Sequence, residues 1–465
     1  MTSNREAPSS TPRGGILSRT YLATTIGVFS LIAFNAFEAL AVTTIMPTIS
    51  SDLDGFSLYA VAFAAPLASG VVGTVAAGAW SDRRGPAGSL VASLVLFTLG
   101  VLIAGLAPSM EVFVAGRVVQ GLGTGALIVS LYVVVGVVYP NDLRPSIFAS
   151  FAAAWVLPSL FGPAIAAFVA ETAGWRWVFL GIVGLVAVAA VLVAPVVPGL
   201  RTESHNKPAP RSRMIWATVA SVAVLTVELA GSHASIVGVV AASTAIVVVL
   251  VSIRSLTPSG TLRAGRGLPS VVGTRGLMSA AFFCGQAYIV LVLQLRWGLT
   301  PGQAGLALTL VGVVWAAASQ VQARLSRRLT SERAMVIGTA MLLVATVLLW
   351  VAVLLDLTPI VAGGAFVLAG AGMGLGFTRT AVAMLAASTD RDRGFNSSAL
   401  TIADSIGAAL ALSLCGIAYA AAERANLDPF LAVFGLAVIA AVGALGTASR
   451  TTRADEGRLS SATAV

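Results

Sequence analysis

Charge is what this sequence has least of. Only 10% of its 465 residues are Asp, Glu, Lys or Arg, against about 25% in a soluble domain. Uncharged runs such as Phe56–Trp80, Pro86–Met110, Pro145–Ala170, Trp177–Leu200 and Ala334–Leu355 each exceed the roughly 20 residues that cross a bilayer. A soluble core has no room for so many fully apolar helices, so a large soluble helical protein is excluded. Lysine is nearly absent, with Lys207 alone, and the two histidines, His205 and His233, fall in loops, so a His-based proton relay is not expected. The two cysteines, Cys284 and Cys415, both fall in apolar runs, which supports neither a disulfide framework nor a zinc site. No G-x-x-x-x-G-K-[ST] loop occurs, so a nucleotide-driven machine is not expected. Met1–Ser18 is polar and lacks an apolar h-region; the reading is an uncleaved first span rather than a signal peptide.

What is present is a mean hydropathy of +0.93 distributed over fourteen expected spans: 21–47, 56–80, 86–108, 112–139, 145–170, 177–198, 214–232, 234–253, 276–296, 302–323, 334–355, 357–379, 395–421 and 429–449. The net charge of +9 points to membrane orientation rather than to nucleic acid. With the N-terminus in the cytoplasm and the sides alternating, 24 of the 28 basic residues fall in cytoplasmic segments, Arg275 and Arg379 counted among them. The outer loops hold only Arg176, Arg296 and Arg424. That is the positive-inside pattern, and a missing or extra span would spoil it. Two hydrophilic linkers, Gly199–Arg213 and Arg254–Arg275, bracket a helical pair. The expected layout is a cytoplasmic tail at 1–20, a six-helix bundle at 21–198, linkers and a central pair at 199–275, a second six-helix bundle at 276–449 and a tail at 450–465.

Four ionisable residues interrupt the apolar spans: Glu38, Arg117, Glu228 and Asp404. A charge at the bilayer centre costs about 2.5–3.5 kcal/mol on insertion scales, and residues kept there line polar cavities or pair with one another. Glu38 lies about 13 Å from Pro47 along its helix, and Arg117 about 9 Å from Glu111, which puts both in the outer half of the membrane. Glu38 is therefore expected to face a cavity with Arg117 beside it. Asp404 lies about 13 Å in from the opposite end of its helix, too far for contact with Glu38. It reads equally as a second proton site, a cation-binding group, a gate or a structural residue. Glu228 sits four residues from the end of its span, where snorkelling or a helix contact is expected. Asn35, Gln120, Trp155, Gln286, Tyr288 and Asn396 are the candidate cavity-lining side chains, amides and aromatics suited to amphipathic organic molecules.

Several motifs carry a resemblance. Gly78-Ala-Trp-Ser-Asp82-Arg83-Arg84-Gly85 resembles the G-x-L-a-D-r-x-G-r-k signature of the major facilitator superfamily, with Pro86-Ala87 where basic residues are usual. Asp82, Arg83 and Arg84 at a helix end would latch one conformation, Gly78 would permit a close helix contact, and Gly85 a tight turn. The second-half counterpart at Ala323–Arg328 lacks the acid. Arg117-Val-Val-Gln120-Gly121-Leu-Gly123 resembles the R-x-x-q-G-x-g element, which implies a part in proton coupling for Arg117. Phe37-Glu38 through Pro47 is similar to the l-D-x-T-x-x-x-x-A-L-P element of the fourteen-span drug:proton antiporters, with Glu in place of Asp. Gly162-Pro163 resembles the G-P core of the antiporter element of span 5 and implies a helix bend. Gly174-Trp175-Arg176-Trp177-Val-Phe179 is similar to the W-R-W-x-F step before span 6, and its aromatics suit an interfacial belt.

The expected fold is all-α and integral to the membrane: a major facilitator fold of two six-helix bundles around a central cavity, plus a two-helix insertion. The resemblance implies a proton-coupled secondary transporter exporting drugs or amphipathic small molecules by alternating access. Glu38, Arg117 and Asp404 would be its proton-coupling groups. A dedicated exporter of one metabolite is the rival within transport. A non-transporting sensor or scaffold is the rival from another class, and keeping Glu38, Arg117 and Asp82 argues against it. No span carries paired carboxylates, a His cluster or a nucleophile motif, so an enzyme is not expected. No cofactor or metal is expected. The expected partners are a small-molecule substrate, protons and the lipid bilayer, without nucleic acid, for a monomer in the cell membrane with both termini cytoplasmic.

Overall fold

A computed structural model describes residues 15–140, 143, 147, 150, 151, 153–200, 211–231, 236–325, 328–388 and 393–451. The fourteen helices among them match the fourteen expected spans one for one. They are α1 (Leu22–Asp52), α2 (Tyr59–Arg84), α3 (Pro86–Gly105), α4 (Met110–Val138), α5 (Val156–Thr172), α6 (Arg176–Val193), α7 (Arg211–Gly231), α8 (Ile236–Leu256), α9 (Leu268–Leu295), α10 (Pro301–Arg324), α11 (Ser331–Leu354), α12 (Pro359–Ala387), α13 (Arg393–Arg424) and α14 (Pro429–Ala448). Eleven are long and apolar enough to cross a membrane; α5, α7 and α8 contribute the shorter apolar segments Leu157–Thr172, Ser212–Val227 and Val240–Leu256.

The helix boundaries follow from a few residues. Proline opens α3, α10, α12 and α14, where its missing N–H costs nothing. Thr300 and Gln303 form a reciprocal capping box on α10, and Asp428 caps the Phe430 N–H of α14. Gly85, with φ of 75°, ends α2 and starts α3. The expected linker at 254–275 is shorter than its composition suggests. α8 continues to Leu256 and α9 starts at Leu268, because Pro269 occupies the helix's first turn behind Gly267 and so opens a helix rather than prolonging a loop.

Two bundles result. α1 packs on α5 and α6, α2 and α3 on α4; α9 packs on α13 and α14, α12 on α10 and α11. Interhelical hydrophobicity is no driving force in lipid, so close backbone approach does the work. A Cβ at Gly125 would overlap the Gly70 carbonyl, and one at Gly121 the Pro66 carbonyl, so α2 and α4 meet backbone to backbone. In the second bundle α9 and α13 meet the same way at Gly276 and Gly407. The bundles touch along two seams, α2 with α13 and α5 with α10. The α7–α8 pair covers the first seam, α7 packing on both α2 and α13. Large apolar side chains such as Ile360, Val237 and Val191 are over 70% exposed on the outside, where lipid rather than water would meet them. The α1 start, the α2–α3 turn and the α8–α9 link share one end of the molecule, here the near end; the α1–α2 and α13–α14 links mark the far end.

Candidate functional site

A cavity of about 890 Å³ lies between the bundles, walled by α1, α2, α4, α7, α9 and α13. It reaches the near end, where Gly78, Trp155, Arg213, Leu256 and Phe395 line it, and stops toward the far end at Phe63 and Ala287. Of the expected lining residues it is bordered by Asn35, Gln120, Trp155 and Gln286. Tyr288 and Asn396 are corrections. Tyr288 is 2% exposed, packs at a tilt against Tyr59 and stacks on Tyr419. Asn396 is buried with its amide donating to Ser388 Oγ at 2.9 Å. Gly78 is a third: among the described residues nothing lies within 4 Å of its Cβ position, so it borders the cavity and makes no close helix contact there.

Glu38 and Arg117 form a direct ion pair on the cavity wall, both under 6% exposed. The close crossing of α2 and α4 at Gly121 holds Arg117 one turn away against the α2 backbone. Its Nε donates to the Ala62 carbonyl at 3.2 Å and its Nη1 to Gln120 Oε1 at 2.7 Å. The guanidinium cannot shed its proton; it is satisfied from three sides, and only one of these partners can be neutralised by a proton.

Asp404 lines the same cavity without touching Glu38. One oxygen accepts from Arg275 Nη2 at 3.2 Å and the other from the Ser279 hydroxyl. Sequence reasoning missed Arg275 and placed it in a loop, yet it lies within α9. The Gly276–Gly407 contact sets the register that brings it to Asp404. Arg275 also donates to the Phe377 carbonyl at 3.0 Å and Thr380 Oγ1 at 3.2 Å, and stacks over the Phe377 ring. Arg379 is a second correction of the same kind: it lies inside α12, 6% exposed, and donates to the Gln322 carbonyl at 3.2 Å. The side chains of Asp82, Arg83, Arg84 and Glu228 lie outside the described residues, as does the loop arginine Arg327.

The far end is sealed above the cavity roof. Tyr59 on α2 donates its hydroxyl to the Ala287 carbonyl on α9 at 2.8 Å, across the two bundles. Its ring centroid is 5.5 Å from that of Tyr288, which lies 5.7 Å from Tyr419, itself 5.6 Å from Phe430. Each bundle is also clamped within itself at this end. Asp52 accepts from Trp175 Nε1 at 2.9 Å and Arg176 Nη1 at 3.1 Å. Arg296 bonds Asp356 at 2.8 Å and also Asp428; the Asp356 hydrogen bond, with help from Asp428, raises its pKa further above the usual guanidinium value. Trp175 is therefore no belt residue: it is 3% exposed in an edge-to-face cluster with Phe113 and Phe179, and Trp177, 60% exposed, is the aromatic that faces out. α5 runs unbroken through Pro163, whose ring packs on Gly305 of α10, while Gly162 meets the Phe37 ring of α1.

Comparison with known proteins fits this geometry. The multidrug efflux pump SdrM of Staphylococcus aureus (strain N315) is 22% identical over 404 residues, 86% of this chain and 90% of that protein. The probable multidrug-efflux transporter Rv1634 of Mycobacterium tuberculosis (strain H37Rv) is 27% identical over 333 residues, 67% of this chain and 68% of that one. Among solved structures, a POT family transporter in complex with 5-aminolevulinic acid superposes with a TM-score of 0.70 at 13% identity, over 92% of this chain and 97% of that one. A D-xylose-proton symporter gives 0.62 at 16%, over 94% and 99%. The profile of the Major Facilitator Superfamily matches residues 28–412. With two helical bundles about a charged central cavity and that match over most of its length, the chain is a multi-pass membrane transporter of the Major Facilitator Superfamily.

Proposed function

We propose that the chain exports drugs or similar amphipathic small molecules in exchange for protons, by alternating access in the cell membrane with its near end and both termini in the cytoplasm. The observation that carries this reading is the Glu38–Arg117 pair on the wall of a cavity that reaches one end of the molecule and is roofed at the other. An ion pair held out of water loses its attraction when the acid is protonated, and the deserted guanidinium must then rely on other partners. Arg117 has them in Gln120 and the Ala62 carbonyl. A proton on Glu38 thus unties α1 from α4 without stranding a buried charge. Uptake and release of that proton on opposite sides would couple its flow to the exchange of the two open states. Asp404, with Arg275 and Ser279, is the second proposed coupling group. Asp82, Arg83 and Arg84 are the proposed latch at the near end.

Each proton moving inward supplies about 2.3 kcal/mol per 100 mV, enough for roughly fifty-fold accumulation against a gradient at 1.36 kcal/mol per decade. The efflux homologues support an exported substrate and the aromatic and amide lining supports an amphipathic one. The test is efflux of a fluorescent dye panel from proteoliposomes under an imposed proton gradient. Glu38→Gln should abolish gradient-driven efflux while leaving dye binding. Gradient-driven efflux undiminished in Glu38→Gln would remove Glu38 as the proton carrier.

A further inference from the structure

We infer that the inserted helix pair is a wall of the substrate site and that Arg213 on it sets the charge preference of the cavity; this rests on the transport reading above. A two-helix insertion beyond the two bundles need only fill a gap in the lipid. This one does more. α7 is bound to both bundles: Ser221 Oγ donates to the Ala68 carbonyl on α2 at 2.6 Å, and Ser413 Oγ on α13 donates to the Val224 carbonyl at 3.5 Å. Val224 and Ala220 are fully buried between Ala68 and Ile406 of the flanking bundles. Toward the near end Arg213, Met214 and Leu256 of the pair border the cavity directly.

Arg213 differs from the two arginines that hold the cavity's carboxylates. Arg117 and Arg275 are each bound to a carboxylate, Glu38 and Asp404. The Arg213 guanidinium instead lies 4.6 Å over the ring of Phe395, itself a lining residue, and has no carboxylate partner among the described residues. Stacking on an aromatic face leaves the in-plane N–H groups open to the cavity. With the two deeper pairs neutral, Arg213 is, among the described residues, the unbalanced charge that a substrate meets at the open end. Through a partly wet, low-dielectric mouth a unit charge within about 10 Å shifts the binding of a monovalent ligand by roughly tenfold. Met214 and Leu256, on the same stretch of wall, would set how wide a ring system passes.

The experiment uses the purified full chain in phosphatidylcholine nanodiscs, free of acidic lipid. Three fluorescent probes report: ethidium as an aromatic cation, Nile red as a neutral ring system and 8-anilinonaphthalene-1-sulfonate as an anion. Arg213→Gln should tighten ethidium relative to Nile red by about tenfold and weaken the sulfonate by a similar factor. Arg213→Lys should keep the wild-type charge order. Met214→Trp and Leu256→Trp should weaken all three while size-exclusion and thermal-unfolding profiles stay as in wild type. Probes that bind wild type but shift equally, or not at all, in the Arg213 variants would overturn the charge role. Probes that bind normally to both Trp variants would overturn the wall. Wild-type protein that binds none of the probes would count instead against the drug-transport reading and take this inference with it.

Discussion

The hydroxyl of Tyr59 offers the sharpest perturbation, because one oxygen joins the two bundles directly above the cavity. Tyr59→Phe deletes the bond to the Ala287 carbonyl and keeps the ring. The carbonyl is not stranded, since α9 continues past it to Leu295 and its in-helix donor remains. The loss is therefore that of one interhelical hydrogen bond in a membrane, about 0.6 kcal/mol on average and about 1.7 at most. The odds of the far end being open should rise roughly threefold to twentyfold. Tyr59→Ala also removes the ring contact to Tyr288 on the other bundle, centroids 5.5 Å apart. At about 0.5–1.5 kcal/mol per aromatic pair, this variant should open the far end further still. The assay is a distance distribution between spin labels at Ser57→Cys and Leu427→Cys, both exposed at the far end, one on each bundle. Cys284 and Cys415, buried side by side, are replaced by alanine first. A long-distance population that grows in the order wild type, Phe, Ala supports the seal. Distributions that coincide for all three proteins would refute it, and the far end would then be held by the α5–α10 seam instead.

Two further substitutions test the second bundle. Gly407→Ala puts a methyl group into the Gly276 carbonyl, so α9 and α13 must separate at a cost of about 1–3 kcal/mol; thermal unfolding in detergent should shift down, and an unchanged midpoint would mean the close crossing does not fix this pair. Asp404→Asn leaves Arg275 its bonds to Phe377 and Thr380 and so should keep the protein folded while gradient-driven efflux falls at least tenfold; full coupled efflux in a correctly folded Asp404→Asn protein would leave Asp404 a structural role only.

The fourteen helices were legible because lipid imposes one rule on every span: about twenty residues without charge. Glu38 and Arg117 could be placed together for a related reason. Each could be measured from a helix end at 1.5 Å per residue, and two groups at equal depth in one bundle have few places to go. That arithmetic fails for Arg275 and Arg379. Both lie near the ends of hydropathy windows, where an arginine reads as a loop residue, and only the tertiary contact shows that the helix has already begun or not yet ended. Pro269 hid the start of α9 because a proline after a glycine signals a turn and a helix opening alike.

The contact that pairs Arg275 with Asp404 nevertheless left a trace in the chain. Cys284 and Cys415 touch and stand 131 residues apart. Gly276 and Gly407, and Tyr288 and Tyr419, repeat that offset, and both of these pairs meet as well. Small or aromatic residues at steps of four along α9 and α13 thus mark one straight seam between parallel helices. An in-register seam carries its neighbours with it: once Gly276 is set against Gly407, Arg275 and Ser279 flank the turn that holds Asp404, and the carboxylate finds both. The Tyr59–Ala287 bond has no such trace. It joins residues 228 apart on different bundles, and its register is set by how the bundles tilt against each other, which is the quantity that the proposed alternating access would change. Contacts within a bundle can be written into sequence as repeats because the proposed cycle would leave them in place. Contacts at the bundle ends would exist in only one state of that cycle, so few and separable groups such as the Tyr59 hydroxyl suffice to hold them.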